Sequence, residues 1–412
     1  MTDHYDDLET RAPDVRERAL FATLTQQIAH AKANAPAFTT LLADVDPAAI
    51  TSRAALAGLP VTRKSDLVGL QQGAPPFGGF AATGWGEIRR VFASPGPLYE
   101  PEGARQDYWR IARALFAAGF RPGDLVHNTF SYHLTPAGSM LETGAHALGC
   151  AVIPAGTGQT EQQVQVMAAL RPSGYIGTPS FLKIILDKAD EMGVALPALT
   201  KALVSGEAFA GATRDMLAAR GIRGMQVYAT ADLGSIAYES SAREGLIVDE
   251  GVIVEIVRPG TGDPVPEGEV GEVVVTSVFN RDYPMIRFGT GDMSAVLPGL
   301  SPCGRTNMRI KGWLGRADQT TKVKGMFVHP AQVAAILKRH PGIERARLVV
   351  DNPEGVDRMT LHIEHAPGSA PEPVGLVETI RDVTKLRGEV AFTTVGALPN
   401  DGKVIEDRRK YD

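Results

Sequence analysis

The sequence predicts an α/β protein: a large N-terminal domain of parallel sheets flanked by helices, with a β-subdomain, followed by a small α+β domain. Three observations lead to this prediction. Short apolar runs alternate with helical segments through residues 107–228, β-branched runs dominate residues 246–277, and a β-α-β-β-α-β-like order follows residue 318. Alternating strands and helices are typical of a parallel sheet covered by helices. A chain of 412 residues is also long enough for two or three domains of about 100–200 residues each.

The first elements are helices. Residues 15–33 carry apolar side chains at helical spacing until Pro36, and residues 107–118 repeat this pattern until Gly119. Strands and helices then alternate, with strands expected at 124–130, 151–154, 174–177, 201–204 and 225–228 and helices at 161–170 and 180–192. Helices that connect successive strands predict that those strands pair in parallel.

Two further groups of elements complete the chain. The β-branched runs 252–257 and 272–276 flank a segment rich in Pro and Gly, which predicts an antiparallel β-subdomain. The C-terminal elements are a strand at 322–324, a helix at 329–339, strands at 346–350 and 359–364, and a helix at 372–386. This order predicts a small independent domain. We therefore divide the chain into residues 1–317 and 318–412, with a hinge within residues 312–318.

Composition and charge exclude several classes of function. The net charge is −5 and no long basic stripe is present, so the sequence has no electrostatic footprint for nucleic acid. Two cysteines, Cys150 and Cys303, can form neither a disulfide framework nor a zinc site of the usual spacing. The N-terminus is charged rather than apolar, and the apolar runs are far shorter than the roughly 20 residues that span a bilayer. We expect a cytoplasmic protein without a membrane partner.

Several motifs follow one another in a fixed order. They are GCAVIPAGTGQTEQQ within residues 149–182, VSGEAF (204–209), VYATADLG (227–234), GEVGEVVVTS (268–277), YPMIRFGTGDMS (283–294), CGRT (303–306), GRADQTTKVKGMFVHPAQV (315–333) and ALPNDGKVIEDRR (397–409). In the order and spacing of these motifs, from Pro60 to the C-terminus, the chain resembles the phenylacetate–CoA ligases of the adenylate-forming superfamily. Each string alone is weak, and their shared order carries the resemblance.

This resemblance implies a fold and an activity. The large domain would bind AMP and the acyl group, and residues 318–412 would form a mobile lid. The cofactors would be ATP, Mg²⁺ and coenzyme A, and the partner would be a small carboxylic acid, by family an aryl or arylacetic acid. The acid would become an acyl adenylate and then a coenzyme A thioester. Dimers are common in this family, so a homodimer is one state to test.

The resemblance also implies a nucleotide-binding site. Its residues are Ser205, Gly206, Glu207, Tyr228, Ala229, Thr230, Asp292 and Arg316. A small-residue turn at 205–207 lets the backbone approach a flat adenine. The two oxygens of a carboxylate such as Asp292 can accept from both ribose hydroxyls. Ordinary turns are the competing interpretation for both segments.

Asp232 is the implied magnesium ligand. The family pattern is Tyr-Gly-Ser/Thr-Thr-Glu, whereas residues 228–232 read YATAD, so the acid is one methylene shorter here. A hard carboxylate oxygen suits Mg²⁺, and the shorter arm calls for a shifted ion or an intervening water. The competing interpretation makes Asp232 an acid in the first turn of a helix.

The lid carries three implied sites. Lys403, in PNDGKV, would be the catalytic lysine, a point charge that meets the negative charge developing between the acyl carboxylate and the α-phosphate. Asp318 would be the hinge, and Gly325 would line the coenzyme A tunnel. Without the rest of the pattern, Lys403 is interpreted as one more surface lysine.

The acyl pocket is implied within residues 127–144. Phe130, Tyr132 and His133 would line it, and the small Gly138 would leave room for a ring. A histidine in such a segment is more often a packed, hydrogen-bonded residue than a catalyst. Both interpretations of His133 therefore stay open at this point.

The phosphate loop departs most from the family. Members carry a Ser/Thr/Gly-rich loop that ends in lysine and cradles phosphate, whereas residues 92–101 read FASPGPLYEP. Ser94 and Gly96 remain, but the threonines and the lysine are gone, and the prolines remove N–H donors. Glu100 and Glu102 add negative charge that repels a polyphosphate.

Three functions are compatible with this degenerate phosphate loop. In the first, the enzyme is a working ligase that holds triphosphate through Mg²⁺ and basic groups such as Arg90 or Arg105. In the second, the chain binds an acyl adenylate, AMP or an aryl ligand without efficient adenylation. In the third, it accepts a preformed activated acid as an acyl carrier or transferase. We favour the first, because Asp292, Arg316 and Lys403 persist.

Overall fold

The computed structural model of the chain describes residues 4–258, 260–317, 321–328, 330–365, 373–399 and 404–409. The chain divides into a large unit, Met1–Gly206 with Asp215–Leu314, and a small unit, Glu207–Arg214 with Gly315–Asp412. This division falls inside residues 312–318, where the sequence places the hinge. The domain boundary after residue 317 stays a prediction, and the inclusion of Glu207–Arg214 in the small unit has no signal in the sequence.

Helices and strands alternate along the described chain. Its α-helices are α1 (Pro13–Asn34), α2 (Pro36–Leu41), α3 (Arg53–Ala57), α4 (Leu67–Gly73), α5 (Ala112–Ala117), α6 (Ala137–Leu148), α7 (Thr160–Leu170), α8 (Pro179–Glu191), α9 (Gly211–Ala219), α10 (Pro330–Arg339) and α11 (Pro373–Thr384). No helix within these described residues is both long and apolar enough to cross a lipid bilayer.

The β-strands belong to several sheets. They are β1 (Thr62–Arg63), β2 (Ile88–Ser94), β3 (Leu98–Gly103), β4 (Leu125–Asn128), β5 (Ala151–Pro154), β6 (Gly174–Gly177), β7 (Lys201–Val204), β8 (Arg223–Thr230), β9 (Gly234–Glu239), β10 (Leu246–Val248), β11 (Val252–Val257), β12 (Gly271–Ser277), β13 (Phe288–Ser294), β14 (Val296–Leu297), β15 (Arg309–Ile310), β16 (Thr321–Val323), β17 (Met326–Val328), β18 (Ile343–Asp351), β19 (Arg358–His365), β20 (Glu389–Thr393) and β21 (Ile405–Asp407).

The main sheet of the large unit has nine strands in the order β14-β15-β10-β9-β8-β7-β6-β4-β5. Strands β5, β4, β6, β7 and β8 pair in parallel. Antiparallel pairing continues from β8 through β9, β10 and β15 to β14. The predicted parallel sheet and the α/β class are therefore confirmed.

A second sheet of the large unit has the order β1-β13-β12-β11. Strands β11 and β12 pair antiparallel, with Val252 opposite Ser277 and Val257 opposite Glu272, which confirms the predicted β-subdomain. The short strand β1 pairs in parallel with β13. This long-range pairing brings Lys64, which directly follows β1, alongside β13.

Helix α5 begins later than its apolar pattern predicts. The predicted helix covers residues 107–118, whereas α5 begins at Ala112. The Asp107 Oδ1 accepts hydrogen bonds from the backbone N of Ile111 at 2.8 Å and of Ala112 at 3.3 Å, and Arg110 has a φ of +58°. A capping turn therefore replaces the first helical turn, because the Asp107 side chain takes up the N–H groups there.

The small unit has a hydrophobic core of its own. Its four-stranded sheet has the order β20-β19-β18-β21. Leu348 on β18 and Leu361 on β19 are fully buried against Ile336 of α10 and Leu376 and Ile380 of α11. A separate core of this kind is what a small domain requires in order to fold as a unit.

Candidate active site

Two side chains of the large unit donate hydrogen bonds to one carboxylate. Asp292 lies on β13 and is 8% exposed. The Tyr228 hydroxyl donates to its Oδ2 at 2.8 Å, and the Trp313 indole Nε1 donates to its Oδ1 at 3.1 Å. Two residues that the sequence assigns to nucleotide binding are thus brought together. No motif in the sequence identifies Trp313, although it lies within the predicted hinge segment.

The Asp292 carboxylate is held in place by its own strand. Thr290 is 1% exposed, and its Oγ1 accepts from the Asp292 backbone N at 3.1 Å. The Thr290 hydroxyl donates in turn to the carbonyl oxygen of Val273 on β12 at 3.0 Å. The Tyr228 hydroxyl lies 3.3 Å from the same Oγ1. Asp292 is therefore positioned before any ligand binds.

The turn after β7 has the close backbone geometry expected beside a flat ligand. The Ser205 hydroxyl donates to the carbonyl oxygen of Val227 at 2.8 Å, which ties this turn to β8, the strand of Tyr228. Gly206 has a φ of +81°, in the left-handed region that favours glycine. Glu207 is half-buried and belongs to the small unit.

The hairpin between β8 and β9 carries Asp232. Ala229 and Thr230 end β8, and the Thr230 Oγ1 accepts from the backbone N of Leu233 at 3.3 Å. This hydrogen bond closes the turn that contains Asp232. Because β8 and β9 pair antiparallel across that turn, the interpretation of Asp232 as an acid in the first turn of a helix is wrong.

Asp232 forms an ion pair with Lys64. The aspartate is 1% exposed, and its Oδ2 accepts from the Lys64 Nζ at 2.5 Å. Its Oδ1 is buried and has no hydrogen-bond partner among the described residues. One carboxylate oxygen is thus paired with a cation of the protein, and the other is left available. An oxygen of this kind fits a hard cation such as Mg²⁺.

Lys64 is a candidate site residue that no motif of the sequence identified. It follows a two-residue strand, β1, whose Thr62 pairs with Phe288 of β13. Such a pairing between distant segments leaves no local pattern. The only available signal is that Lys64 lies just inside the segment that resembles the family, which begins at Pro60.

Residues 92–101 form the β2–β3 hairpin instead of an open phosphate loop. Ser94 pairs with Leu98 at its tip, and Gly96 lies in the turn. The Ser94 hydroxyl donates to Glu100 Oε1, so the hydroxyl that remains from the loop binds a carboxylate. Glu100 is 1% exposed, and its Oε2 has no hydrogen-bond partner within the described part of the chain.

The basic groups expected to hold triphosphate are engaged elsewhere. Arg90 forms a salt bridge with Glu102 across the β2–β3 hairpin. Arg105 donates to two backbone carbonyl oxygens at 2.8 and 2.9 Å. The cation that lies beside the Asp232 carboxylate is instead Lys64.

Burial and charge shift the pKa values of this cluster. Burial, and then the charge of Asp232, raise the pKa of Glu100 to about 8. Burial acts to lower the pKa of Lys64, but the charge and hydrogen bond of Asp232, together with the charges of Glu100 and Asp292, raise it overall. At neutral pH Glu100 is therefore mostly protonated and Lys64 is charged. Asp292 contributes because Lys64 directly follows β1, which pairs with the strand that carries Asp292.

The predicted acyl-pocket residues have different environments. Phe130 is 9% exposed, whereas His133 is exposed, so His133 is not a packed core histidine. The Tyr132 hydroxyl accepts from Asn128 Nδ2 at 2.8 Å and donates to Glu142 Oε2 at 2.6 Å. The segment therefore contains a polar network as well as an aromatic surface.

The space beside Gly138 is filled by protein atoms. A Cβ at this position would lie 2.6 Å from the carbonyl oxygen of Ser131 and 2.9 Å from Tyr132 Cγ. The small residue at the start of α6 is therefore required by the Tyr132 ring. The expectation that Gly138 leaves room for a substrate ring is corrected accordingly.

The small unit contains the remaining predicted site residues. Arg316 is half-buried near its start, and Gly325 lies in the β16–β17 turn with a φ of +82°. Asp318 and Lys403 lie outside the described residues. Their hinge and catalytic roles stay predictions.

Known proteins similar to this chain were found by sequence and by structure, although no protein-family model matches it. It is 32% identical over 358 residues to a phenylacetate-coenzyme A ligase of Thermus thermophilus, covering 83% of this chain and 79% of that protein. It is 30% identical over 348 residues to that of Escherichia coli, covering 80% and 77%. The crystal structure of a 2-hydroxyisobutyryl-CoA ligase in complex with 2-HIB-AMP and CoA matches 100% of this chain and 93% of that chain, with 23% identity and a TM-score of 0.82.

Proposed function

Since this chain belongs to the phenylacetate–CoA ligase family of adenylate-forming enzymes, we propose that it joins a small carboxylic acid to coenzyme A in two steps. In the first step, the acid and ATP give an acyl adenylate and pyrophosphate. In the second step, the coenzyme A thiol attacks the acyl carbon of this mixed anhydride and AMP leaves. By family, the chain is an acid–thiol ligase of the AMP-forming type.

One observation carries this proposal: strand pairing brings the Tyr228–Asp292 pair and the Lys64–Asp232 pair together in the large unit. Lys64 directly follows β1, which pairs with the strand of Asp292, and Asp232 lies in the turn that follows the strand of Tyr228. A nucleotide presents both a ribose cis-diol and an anionic phosphate. Asp292 is an acceptor suited to the diol, and Lys64 is a point charge suited to phosphate. The combination favours a nucleotide over a ligand that has only one of these groups.

Magnesium enters the proposal through Asp232. The Asp232 Oδ1 is buried and has no partner among the described residues, so it can serve as a hard oxygen ligand. The bound ion would neutralise part of the phosphate charge of ATP. Lys64 supplies a second positive charge from the protein itself. It thereby takes the place of the lysine that the phosphate loop has lost.

The catalytic role of Lys403 is proposed from the family pattern. Adenylation builds negative charge between the acyl carboxylate and the α-phosphate, and a positioned cation there lowers the barrier. Asp318 as the hinge and Gly325 as a residue of the coenzyme A tunnel are proposed on the same basis. A direct test is Lys403→Ala, which should abolish adenylation yet spare thioester formation from a supplied acyl adenylate.

The acid is proposed to be small and aromatic, with phenylacetate as the first candidate. This choice rests on the named substrate of the relatives and on the aromatic side chains of Phe130 and Tyr132. Asn128, Tyr132 and Glu142 also place a hydrogen-bonded polar network within the same segment. Hydroxylated aryl acids and small hydroxy acids therefore belong in the same panel.

A second function is favoured by the β2–β3 hairpin. A phosphate loop binds the β- and γ-phosphates through several N–H and hydroxyl donors. Here prolines remove N–H groups, and the Ser94 hydroxyl already donates to Glu100. On this basis the chain would bind AMP, an acyl adenylate or an aryl ligand without efficient adenylation, or accept a preformed activated acid.

Exchange of labelled pyrophosphate into ATP separates the two functions. For a working ligase we expect exchange that depends on at least one acid of the panel, and formation of the matching coenzyme A thioester when coenzyme A is added. AMP binding without exchange across the whole panel would exclude the ligase and support the degenerate homologue. Transfer to coenzyme A from a supplied acyl adenylate would then distinguish a transferase from a binding protein.

A further inference from the structure

Two buried carboxylate oxygens remain unexplained in a cluster that we call the phosphate end, which consists of Lys64, Ser94, Glu100 and Asp232. They are Asp232 Oδ1 and Glu100 Oε2, which lack hydrogen-bond partners among the described residues, and both side chains are 1% exposed. Buried polar atoms are nearly always paired, because an unpaired one destabilises the fold. Two such oxygens in one cluster indicate that a ligand completes it.

Each of these carboxylates is anchored through its other oxygen. Asp232 Oδ2 accepts from Lys64 Nζ at 2.5 Å, and Glu100 Oε1 accepts from the Ser94 hydroxyl. Asp232 lies in the tight β8–β9 turn, and Glu100 lies on β3, where it pairs with Phe92 of β2. The unpaired oxygens are therefore held by short, hydrogen-bonded hairpins rather than by long loops.

Both carboxylates also act on the same ammonium group. Gln71 lies on α4, the helix that begins three residues after Lys64, and its side chain forms two hydrogen bonds of 2.9 Å with the backbone of Tyr99, the neighbour of Glu100. The charges of Asp232 and Glu100 accordingly both act to raise the pKa of Lys64. Two ionised carboxylates within mutual reach repel each other, and either a proton on one of them or a cation beside them relieves this repulsion. Lys64 pairs with only one of the four oxygens, so the cluster retains capacity for a second positive charge.

We propose that Glu100 and Asp232 together hold one divalent cation, with Mg²⁺ the first candidate, and that Lys64 holds Asp232 when no metal is bound. Mg²⁺ is commonly bound by one or two carboxylates, with waters and substrate phosphates as the other ligands. Among the described residues, no group of three or more His, Cys, Asp or Glu side chains could hold a metal ion. The β2–β3 hairpin, which occupies the position of the phosphate loop, would thus supply Glu100 as a metal ligand.

This inference rests on the proposed function in one respect: a phosphate of the bound nucleotide would complete the coordination of the metal ion. The competing explanation is that Lys64 and Asp232 form a structural ion pair and that Glu100 is merely a buried, protonated acid. That explanation accounts for one oxygen of Asp232 but for neither unpaired oxygen. The two explanations differ in whether Glu100 affects metal binding, which can be measured without nucleotide, acid or turnover.

Titration of the full-length chain with Mn²⁺, with free Mn²⁺ read by electron paramagnetic resonance, tests the proposal. Wild-type protein should bind one Mn²⁺ that Mg²⁺ displaces. Glu100→Gln should weaken binding by at least about tenfold, since even the loss of an outer-shell partner costs 10–100-fold. Asp232→Asn should weaken it similarly. Lys64→Gln should tighten it, because the competing positive charge is gone.

Glu102→Gln is the matched control. Glu102 lies two positions further along β3 and is also 1% exposed, but it is already engaged by Arg90 and by the Trp109 indole, at 2.8 Å. This variant should keep the wild-type Mn²⁺ affinity. Circular dichroism and thermal melting confirm that each variant is folded before it is titrated.

Three results would overturn the proposal: no Mn²⁺ bound by the wild-type protein, equal affinity in wild type and Glu100→Gln, or equal losses in Glu100→Gln and Glu102→Gln. If Lys64→Gln bound Mn²⁺ more weakly than wild type, the Lys64 ammonium group would not compete with the metal for Asp232. Failure of the proposed function gives a different pattern. Mn²⁺ would bind through Glu100 and Asp232, but no acid would support pyrophosphate exchange.

Discussion

The large unit contains two polar clusters of opposite character. The ribose end consists of Tyr228, Asp292 and Trp313, and the phosphate end consists of Lys64, Ser94, Glu100 and Asp232. At the ribose end both oxygens of the carboxylate accept hydrogen bonds from neutral donors. At the phosphate end one oxygen of each carboxylate accepts none from the described residues. The first cluster is complete without a ligand, and the second is not.

This difference indicates what each cluster can bind. A satisfied carboxylate can exchange neutral donors for ribose hydroxyls at little electrostatic cost. An unsatisfied buried cluster instead gains most from a ligand that carries charge, because electrostatic interactions are stronger in a low-dielectric interior. The departures from the family pattern, Asp232 for glutamate and the hairpin for the phosphate loop, also lie at the phosphate end. Recognition of the nucleoside is therefore expected to resist change more than recognition of its phosphates.

Asp292→Ala should cause the largest loss of nucleotide binding. AMP affinity should fall by at least about a hundredfold, because hydrogen bonds to a charged group contribute roughly 1.5–3 kcal/mol each and a ribose offers two hydroxyls. Isothermal titration calorimetry with AMP measures the change. Asp263→Ala, which removes an exposed carboxylate from the same unit, should leave the affinity unaltered. If Asp292→Ala binds AMP as well as wild type, the ribose end is not part of a nucleotide site.

Lys64→Gln should have the next largest effect and should discriminate between nucleotides. In the presence of EDTA, ATP affinity should fall by about tenfold or more, because one charged hydrogen bond is lost. AMP carries less phosphate charge and should lose less. Arg105→Gln is the control, since among the described residues Arg105 donates to two backbone carbonyl oxygens and to no carboxylate. Loss of ATP binding in Arg105→Gln but not in Lys64→Gln would restore the triphosphate role that the sequence suggested for Arg105.

Glu100 should make the metal-free protein less stable as the pH rises. Its pKa is about 8 in the folded chain against an ordinary 4.5, so between these values the folded state holds a proton that the unfolded state has released. The free energy of unfolding should therefore fall with rising pH, by at most about 1.4 kcal/mol per pH unit. Glu100→Gln should flatten this slope in urea unfolding with EDTA present. Identical slopes in the two proteins would mean that Glu100 titrates normally.

Much of the fold could be predicted from local patterns. Strands β5, β6 and β7 of the parallel sheet are short, mainly apolar segments that are each followed by a helix, and the predicted runs at 174–177 and 201–204 coincide with β6 and β7. The start of α5 could not be predicted in this way. There the Asp107 carboxylate takes up backbone N–H groups, and such competition by a side chain does not alter the apolar period.

The ribose end could be predicted and the phosphate end only in part. Tyr228 and Asp292 lie in motifs whose order is visible along the chain. Lys64 reaches Asp232 only because β1 pairs with β13, and a two-residue strand has no periodicity to detect. The sequence leaves a helix start open as the competing interpretation of Asp232, because Thr and Asp cap helix starts and tight turns with the same hydrogen bonds.

Ser94→Ala should have the smallest effect, and the size of that effect should depend on pH. The Ser94 hydroxyl donates to Glu100 and lowers the pKa of that carboxyl, so its loss should cost about 1 kcal/mol of unfolding free energy above pH 8 and less at pH 6. Thr290→Val is the matched change at the ribose end, where the hydroxyl donates to a backbone carbonyl oxygen. Its cost, measured by urea unfolding, should be the same at both pH values. If both variants were equally insensitive to pH, Ser94 would not stabilise the ionised form of Glu100, and the two clusters would differ only in their number of hydrogen bonds.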